Sequence, residues 1–199
     1  MKNSTQIAFA IPVGEALLPT SICDQFGDVD THVPQVIDNE QDQINTDFLD
    51  NYPEAKDNII KLFEAFAETL YGYHQDWRIT SSWLTSNSKG APMYRHNHKN
   101  CVYSGVLYPF KYNEKHPPLI IENPIINHSS FIMNNTKANV WFSDYIGRSP
   151  IPTGHMIFFP SYLYHYHPPF VQTDMPRKSV AFNFFPNETF GVNDSKFIV

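Results

Sequence analysis

"APMYRHNHKNCVYSGVLYPF", residues 91–110, sets His96 and His98 one residue apart and then runs directly into an apolar, aromatic stretch. In an extended segment residues i and i+2 project from the same face, so two imidazoles spaced this way can share one metal ion. The stretch that follows is rich in Val, Tyr, Leu and Phe around a single Gly, a composition that suits a pleated, buried strand. A period near two, not near 3.6, therefore governs this part of the chain.

Six further short runs share that character, separated by Gly, Pro and Asn: "RITSSWLTS", "PLIIENP", "FIMNN", "NVWFSDY", "HMIFFPSYLYHYH" and "RKSVAFNFF". One helical pattern precedes most of them. Pro53, Glu54 and Asp57 open it, Ile59, Ile60, Leu62, Phe63, Phe66, Ala67 and Leu70 recur at helical spacing, and Gly72 stands near its end. Strands after one helix predict a mainly β sandwich or barrel, with the helix of residues 54–71 packed on its outside through a single apolar stripe. At 199 residues the chain reads as one domain able to bury a sizeable core, residues 1–75 forming an N-terminal extension with the helix and residues 76–190 the barrel core.

Composition excludes several classes. Aromatic residues make up 15% and charged residues 17%, with 16 prolines, a balance of a folded, loop-rich globule and not of a disordered tail. The formal net charge is −6 and no Lys/Arg-rich run occurs, so neither a phosphate backbone nor an anionic membrane is attracted over long range. The first residues, "MKNSTQIAFAIPVGEALLP", are interrupted by Pro12, Glu15 and Pro19, which breaks any signal-type apolar core, and no later run is long enough to span a bilayer. The expectation is a cytoplasmic protein. Cys23 and Cys101 are too few for a disulfide framework and read as free thiols, and the Asn-x-Ser/Thr triplets at Asn3 and Asn127 carry no weight without a secretory route. The acidic segment from Asp24 to Asp57 reads as solvated surface, since "DVD" lacks the remaining ligands and the glycine of a calcium loop.

The histidines offer more. His165 and His167 repeat the spacing of His96 and His98, whereas His32, His74, His116, His128 and His155 stand alone and read as packing or surface residues. Imidazole donors, with or without a carboxylate, suit iron, zinc, copper or nickel. Without a thiolate cluster an open, catalytic site is favoured over a closed structural zinc. An open site needs an anchor for what it binds. In "PRKSVAFNFF" Arg177 and Ser179 fall on one strand face, where a guanidinium fork and a hydroxyl could grip one carboxylate.

Taken in order, His-x-His, "SGVLYPF", the acidic strand "IIENP", "GHMIFFPSYLYH" and "RKSVAFNFF" resemble the iron(II) and 2-oxoglutarate dependent oxygenases, in particular a family common in marine bacteria and their phages. The resemblance covers roughly Trp83 to Phe185. It implies a double-stranded β-helix, the jelly-roll or cupin-like barrel, with Fe(II) and 2-oxoglutarate as cofactor and co-substrate. It also implies a dioxygenase that hydroxylates a bound substrate and releases succinate and carbon dioxide, the metal doing the oxidation and the protein positioning the parts. By position His96 matches the first metal ligand, His165 the distal histidine, and Arg177 with Ser179 the clamp on the far carboxylate of 2-oxoglutarate. Tyr108 matches a tyrosine that hydrogen-bonds the same carboxylate. The departure is at the middle ligand: the wider superfamily has His-x-Asp or His-x-Glu, and here the residue is His98. If His98 turns away, His167 is the remaining imidazole and Glu122 the nearest acid by block order.

The catalytic and metal-binding expectation is thus His96, His98 and His165, with a small molecule or protein side chain as substrate and a homodimer as the candidate assembly. The alternative class is a non-catalytic cupin-like barrel that binds a metal or ligand. Arg177 separates the two, because a carboxylate clamp behind a metal has no purpose in a purely structural barrel.

Overall fold

The computed structural model describes residues 10–27, 29, 46–72, 74–87, 90–125, 143–171 and 174–198. Within them lie nine strands: β1 (Gly14–Leu17), β2 (Trp77–Asn87), β3 (Met93–His96), β4 (Tyr103–Tyr108), β5 (Leu119–Glu122), β6 (Tyr145–Arg148), β7 (His155–Pro160), β8 (His165–His167) and β9 (Arg177–Pro186). The helices are a single turn α1 (Thr20–Cys23) and the long α2 (Pro53–Tyr71). "FIMNN", most of "NVWFSDY", half of the acidic segment, His32, His128, Asn3 and Asn127 lie outside the described residues.

The strands form two antiparallel sheets, a five-stranded one in the order β1-β7-β4-β9-β2 and a four-stranded one in the order β3-β8-β5-β6. From β2 onward the chain passes back and forth between them, so residues far apart in sequence become neighbours across the gap. Two strands were not anticipated, and β6 shares only Tyr145 with the run "NVWFSDY". β1 is too short and too closely bracketed by Pro12 and Pro19 to show a period, and it forms only by pairing with β7. β3 holds the residues before His96. The run "HMIFFPSYLYHYH", read as one strand, divides into β7 and β8: the turn closes with Leu163 N–H donating to the Pro160 carbonyl at 3.0 Å. Each half then enters a different sheet.

Alternation along the five-stranded sheet sorts its side chains. Leu107, Met156, Phe158, Val180, Phe182 and Phe184 point outward into the cluster under α2, while Val106, Tyr108, Ile157, Phe159 and Ala181 point inward against the second sheet. α2 covers the outward face with Ala55, Ile59, Phe63 and Ala67, one residue per turn, all buried. It starts at Pro53, whose missing N–H costs nothing there, and ends at Gly72 in the left-handed region with φ 72°. Leu70, the last residue of the expected stripe, has run beyond the sheet and is 37% exposed. Gly105 interrupts the apolar β4 for a steric reason: a Cβ there would sit 2.2 Å from the ring of Phe182.

Phe63 is the keystone of the outer layer. Its ring stacks on Phe184 at 3.9 Å between centroids and meets Phe158 and Trp77 edge-on. Phe63→Ala should lower the unfolding free energy by about 3–5 kcal/mol, the usual range for emptying a buried aromatic site. The midpoint and slope of a urea transition check this, with the slope unchanged if only stability has moved.

Candidate metal and co-substrate site

His96 ends β3 and His165 begins β8, and the two are directly paired across the antiparallel ladder. His98 has left the strand, so it is not held by β alternation. Its backbone N–H donates to the Ser161 carbonyl at 3.0 Å, which folds the loop back over the β7–β8 turn. The three imidazoles converge, with ring centroids 5.2 Å (His96 to His98), 4.3 Å (His96 to His165) and 5.0 Å (His98 to His165) apart. One nitrogen from each lies within 4.8 Å of the others, a spacing that fits a single ion.

The hydrogen bonds behind the rings fix which nitrogen faces inward. His96 Nδ1 lies 2.8 Å from the Tyr94 carbonyl and His165 Nδ1 lies 3.1 Å from the Leu163 carbonyl. A carbonyl only accepts, so both Nδ1 atoms carry the proton and both Nε2 lone pairs are available. His98 Nδ1 is 2.6 Å from Asn183 Oδ1 and 2.9 Å from Ser104 Oγ. Burial pushes His98 below the usual histidine range and, together with the neighbouring His96, takes His165 down to about 3. Neutral imidazoles with free Nε2 atoms are what a divalent transition metal requires, so the donor set fits iron.

His167, two residues along β8, does not join the cluster. It is buried, its Nδ1–H donates to the Pro168 carbonyl at 3.0 Å, and burial with the nearby positive charge of Arg177 takes it down to about 4. Glu122 is not a ligand candidate in this geometry either: Arg95 grips it with two bonds of 2.7 Å and lies over the Tyr164 ring.

Arg177 begins β9 and is 4% exposed. Its Nη2 donates to the Tyr108 hydroxyl at 3.1 Å and its Nε reaches the Pro117 carbonyl at a long 3.4 Å. Among the described residues no Asp or Glu pairs with it. A buried guanidinium left so is costly unless an anion completes it. Tyr108 is fully buried, and that burial holds its hydroxyl above the usual phenol range, hence protonated. Ser179 shares the inner face with Arg177, but its hydroxyl is engaged with Thr85 at 2.7 Å. A cleft lined by Lys115, Pro117, Pro169, Phe170 and Val171 adjoins the arginine through Pro117, and a second, lined by Tyr71, Lys99, Cys101, Tyr103 and Tyr162, reaches His98.

Sequence reasoning missed Ser104, Ser161 and Asn183. The signal was a lone polar residue inside an otherwise apolar strand, in "YSGVLY" and again in "VAFNFF".

The fold is a two-sheet β barrel holding a cluster of three imidazoles that could take one metal ion, and comparison with known proteins gives its class. A sequence profile of the family described as "Putative 2OG-Fe(II) oxygenase" matches residues 81–183, and the chain belongs to that family of Fe(II)- and 2-oxoglutarate-dependent enzymes. A search of curated proteins finds no sequence match. Among solved structures the chain is similar to HygX from Streptomyces hygroscopicus with nickel and 2-oxoglutarate bound (TM-score 0.55, 12% identity, 89% of this chain and 83% of that one). It is similar to the viral collagen prolyl hydroxylase of Paramecium bursaria Chlorella virus-1 (0.53, 12%, 86% and 94%). A third is a Pseudomonas putida prolyl-4-hydroxylase (0.51, 18%, 87% and 87%). The shared fold is the double-stranded β-helix. No helix among the described residues is long and apolar enough to cross a membrane.

The depressed histidines carry a pH signature. Both His165 and His167 titrate lower in the folded chain than the 6.5 or so of an unfolded one, so on acidification the unfolded state takes up protons first. Their contribution to stability is present above about pH 6.5 and is lost as pH falls from there toward about 4 for His167 and about 3 for His165. With chelator present, stability should drop across that window with a slope approaching two protons, about 2.7 kcal/mol per pH unit. Denaturant midpoints taken at several pH values check this, and His167→Gln should remove about one proton of the dependence.

Proposed function

We propose that His96, His98 and His165 hold Fe(II) through their Nε2 atoms, and that Arg177, helped by Tyr108 and Ser179, receives the distal carboxylate of 2-oxoglutarate in an enzyme that hydroxylates a small molecule or a protein side chain. The metal, when bound, would activate dioxygen, the oxidant of the reaction. The chain's own residues supply the rest: three neutral donors prearranged by their Nδ1–H bonds, an apolar inner face that excludes water, and a cation that orients the co-substrate.

One observation carries this reading. A buried guanidinium, served by a phenol and a distant carbonyl and by no acid among the described residues, lies on the same face of β9 as Asn183, whose amide oxygen meets His98 of the three-imidazole cluster. A dicarboxylate with one end at the metal and the other at Arg177 would satisfy both. Three neutral imidazoles leave the site more positive than the usual two histidines and one carboxylate, which further favours a dianionic co-substrate. We read residues 1–199 as a single catalytic unit, since α2 packs its apolar stripe directly on the barrel, and propose that it acts in the cytoplasm. The proposed homodimer is checked by sedimentation velocity.

The test is succinate release. Wild type with ferrous iron and ascorbate should convert 2-oxoglutarate to succinate in air, and anaerobic calorimetry should show the co-substrate binding to the iron-loaded protein. Arg177→Met keeps most of the volume but removes the fork, which should weaken 2-oxoglutarate roughly a hundredfold, about 3 kcal/mol, with metal uptake unchanged. Lysine at that position should rescue only in part, offering a point charge and no fork. Equal affinities in wild type and Arg177→Met would remove the arginine from this role.

A further inference from the structure

His96 and His165 each have a backbone carbonyl to set the tautomer; His98, outside the strand, has none. What stands behind it is a row of side chains crossing three neighbouring strands. Ser81 on β2 is opposite Asn183 on β9, and Asn183 is opposite Ser104 on β4. The alignment depends on an irregularity in β2, where the register advances by two residues, from Ile79 to Ser81, against one on β9 and brings Ser81 level with the asparagine.

Hydrogen bonds connect this row from end to end. Asn183 Nδ2 donates to Ser81 Oγ at 3.0 Å, which turns Oδ1 toward the site. Oδ1 then accepts from Ser104 Oγ at 2.8 Å and lies 2.6 Å from His98 Nδ1. Ser104 Oγ is itself 2.8 Å from Ser161 Oγ, in the turn whose carbonyl holds the His98 backbone. Ser104 and Ser161 are fully buried, so these bonds do not exchange freely with water.

We infer that Asn183 is the positioning residue of His98: its Oδ1, oriented by Ser81, holds the proton on Nδ1 and so turns the Nε2 lone pair toward His96 and His165. This rests on the reading of His98 as a metal ligand. It goes beyond that reading by naming the group that makes His98 competent. Were the amide reversed, Nδ2 would donate to His98, Nδ1 would be the acceptor, and the Nε2 facing the other two histidines would carry the proton and could not coordinate. A neutral amide also leaves the ring a neutral donor, where a carboxylate in its place would draw the Nδ1 proton toward itself.

The experiment has two arms. In the first, long-range proton–nitrogen correlation spectra of the metal-free protein at pH 8 report the tautomer of each histidine. Wild-type His98 should be the Nδ1–H form. Asn183→Ala should lose that form at His98 alone, leaving His96 and His165 as they were, because Ser104 is then free to donate to Nδ1. Asn183→Asp should retain it, since a carboxylate also accepts. If Asn183→Ala does not fold, Ser81→Ala replaces it, and it should give a mixture of the two His98 tautomers. In the second arm, cobalt(II) competition titrations should show affinity falling roughly 10- to 100-fold in Asn183→Ala and recovering in Asn183→Asp. An Nε2–H tautomer in wild type, or an unchanged His98 tautomer in both Asn183→Ala and Ser81→Ala, overturns the inference. Cobalt binding that is indifferent to His98→Ala instead overturns the reading of His98 as a ligand, a distinct outcome.

Discussion

The register of β4 against β9 is the constraint on which the rest of the molecule depends. Ser104 faces Asn183 and Val106 faces Ala181, and the same parity carries Ser179 and Arg177 inward. A slip of one residue would turn the whole row to the helix side and bring Phe182 and Phe184 into the barrel. The outer face prevents that slip: Phe182 occupies the space that a side chain at Gly105 would fill, and Phe184 stacks beneath Phe63. The outer aromatic packing thus fixes the placement of the polar residues on the inner face.

Across the gap, the second sheet contributes by a different means. The pairing of β3 with β8 sets His96 beside His165, and the turn between β7 and β8 holds the backbone of His98. Three imidazoles from two strands and a loop are thereby brought together, the arrangement the proposed metal-binding role requires. Most of the hydrogen bonds that fix them lie one layer outside the imidazoles, on carbonyls and on a buried row of hydroxyl and amide groups. Preorganisation of this sort keeps the reorganisation needed on metal binding small.

What was legible in the sequence was whatever depended on period and residue type. The stripe from Ile59 to Ala67 is helical in any context, and β-type runs separated by Gly, Pro and Asn specify a barrel-like class. The histidine spacing singled out two pairs, and the family resemblance chose His165 over His167; His96, His98 and His165 converge, although for His98 the geometry comes from a loop and not from strand alternation. Tertiary pairing stayed hidden. β1 has no period of its own, the split of residues 155–167 depends on which sheet receives each half, and the fate of Glu122 was decided by Arg95, 27 residues away, in an ion pair that no local pattern announces. Asn183 and Ser104 were visible only as polar interruptions, and their meaning appeared once β2, β9 and β4 were laid side by side.

β1 has a consequence of its own. It lies beyond β7, the outermost described strand on that side of the larger sheet, and Pro12 and Pro19 stand close to its two ends without amide protons to offer. Glu15, at its middle, reaches Arg148 and His155, placing charge on the flank. Without this short strand the apolar β7 would present its unpaired backbone to any extended chain that came near, the arrangement from which cross-β aggregates grow. Four residues with little apolar burial of their own therefore act as a gatekeeper, guarding the colloidal stability of a barrel whose chemistry they never touch.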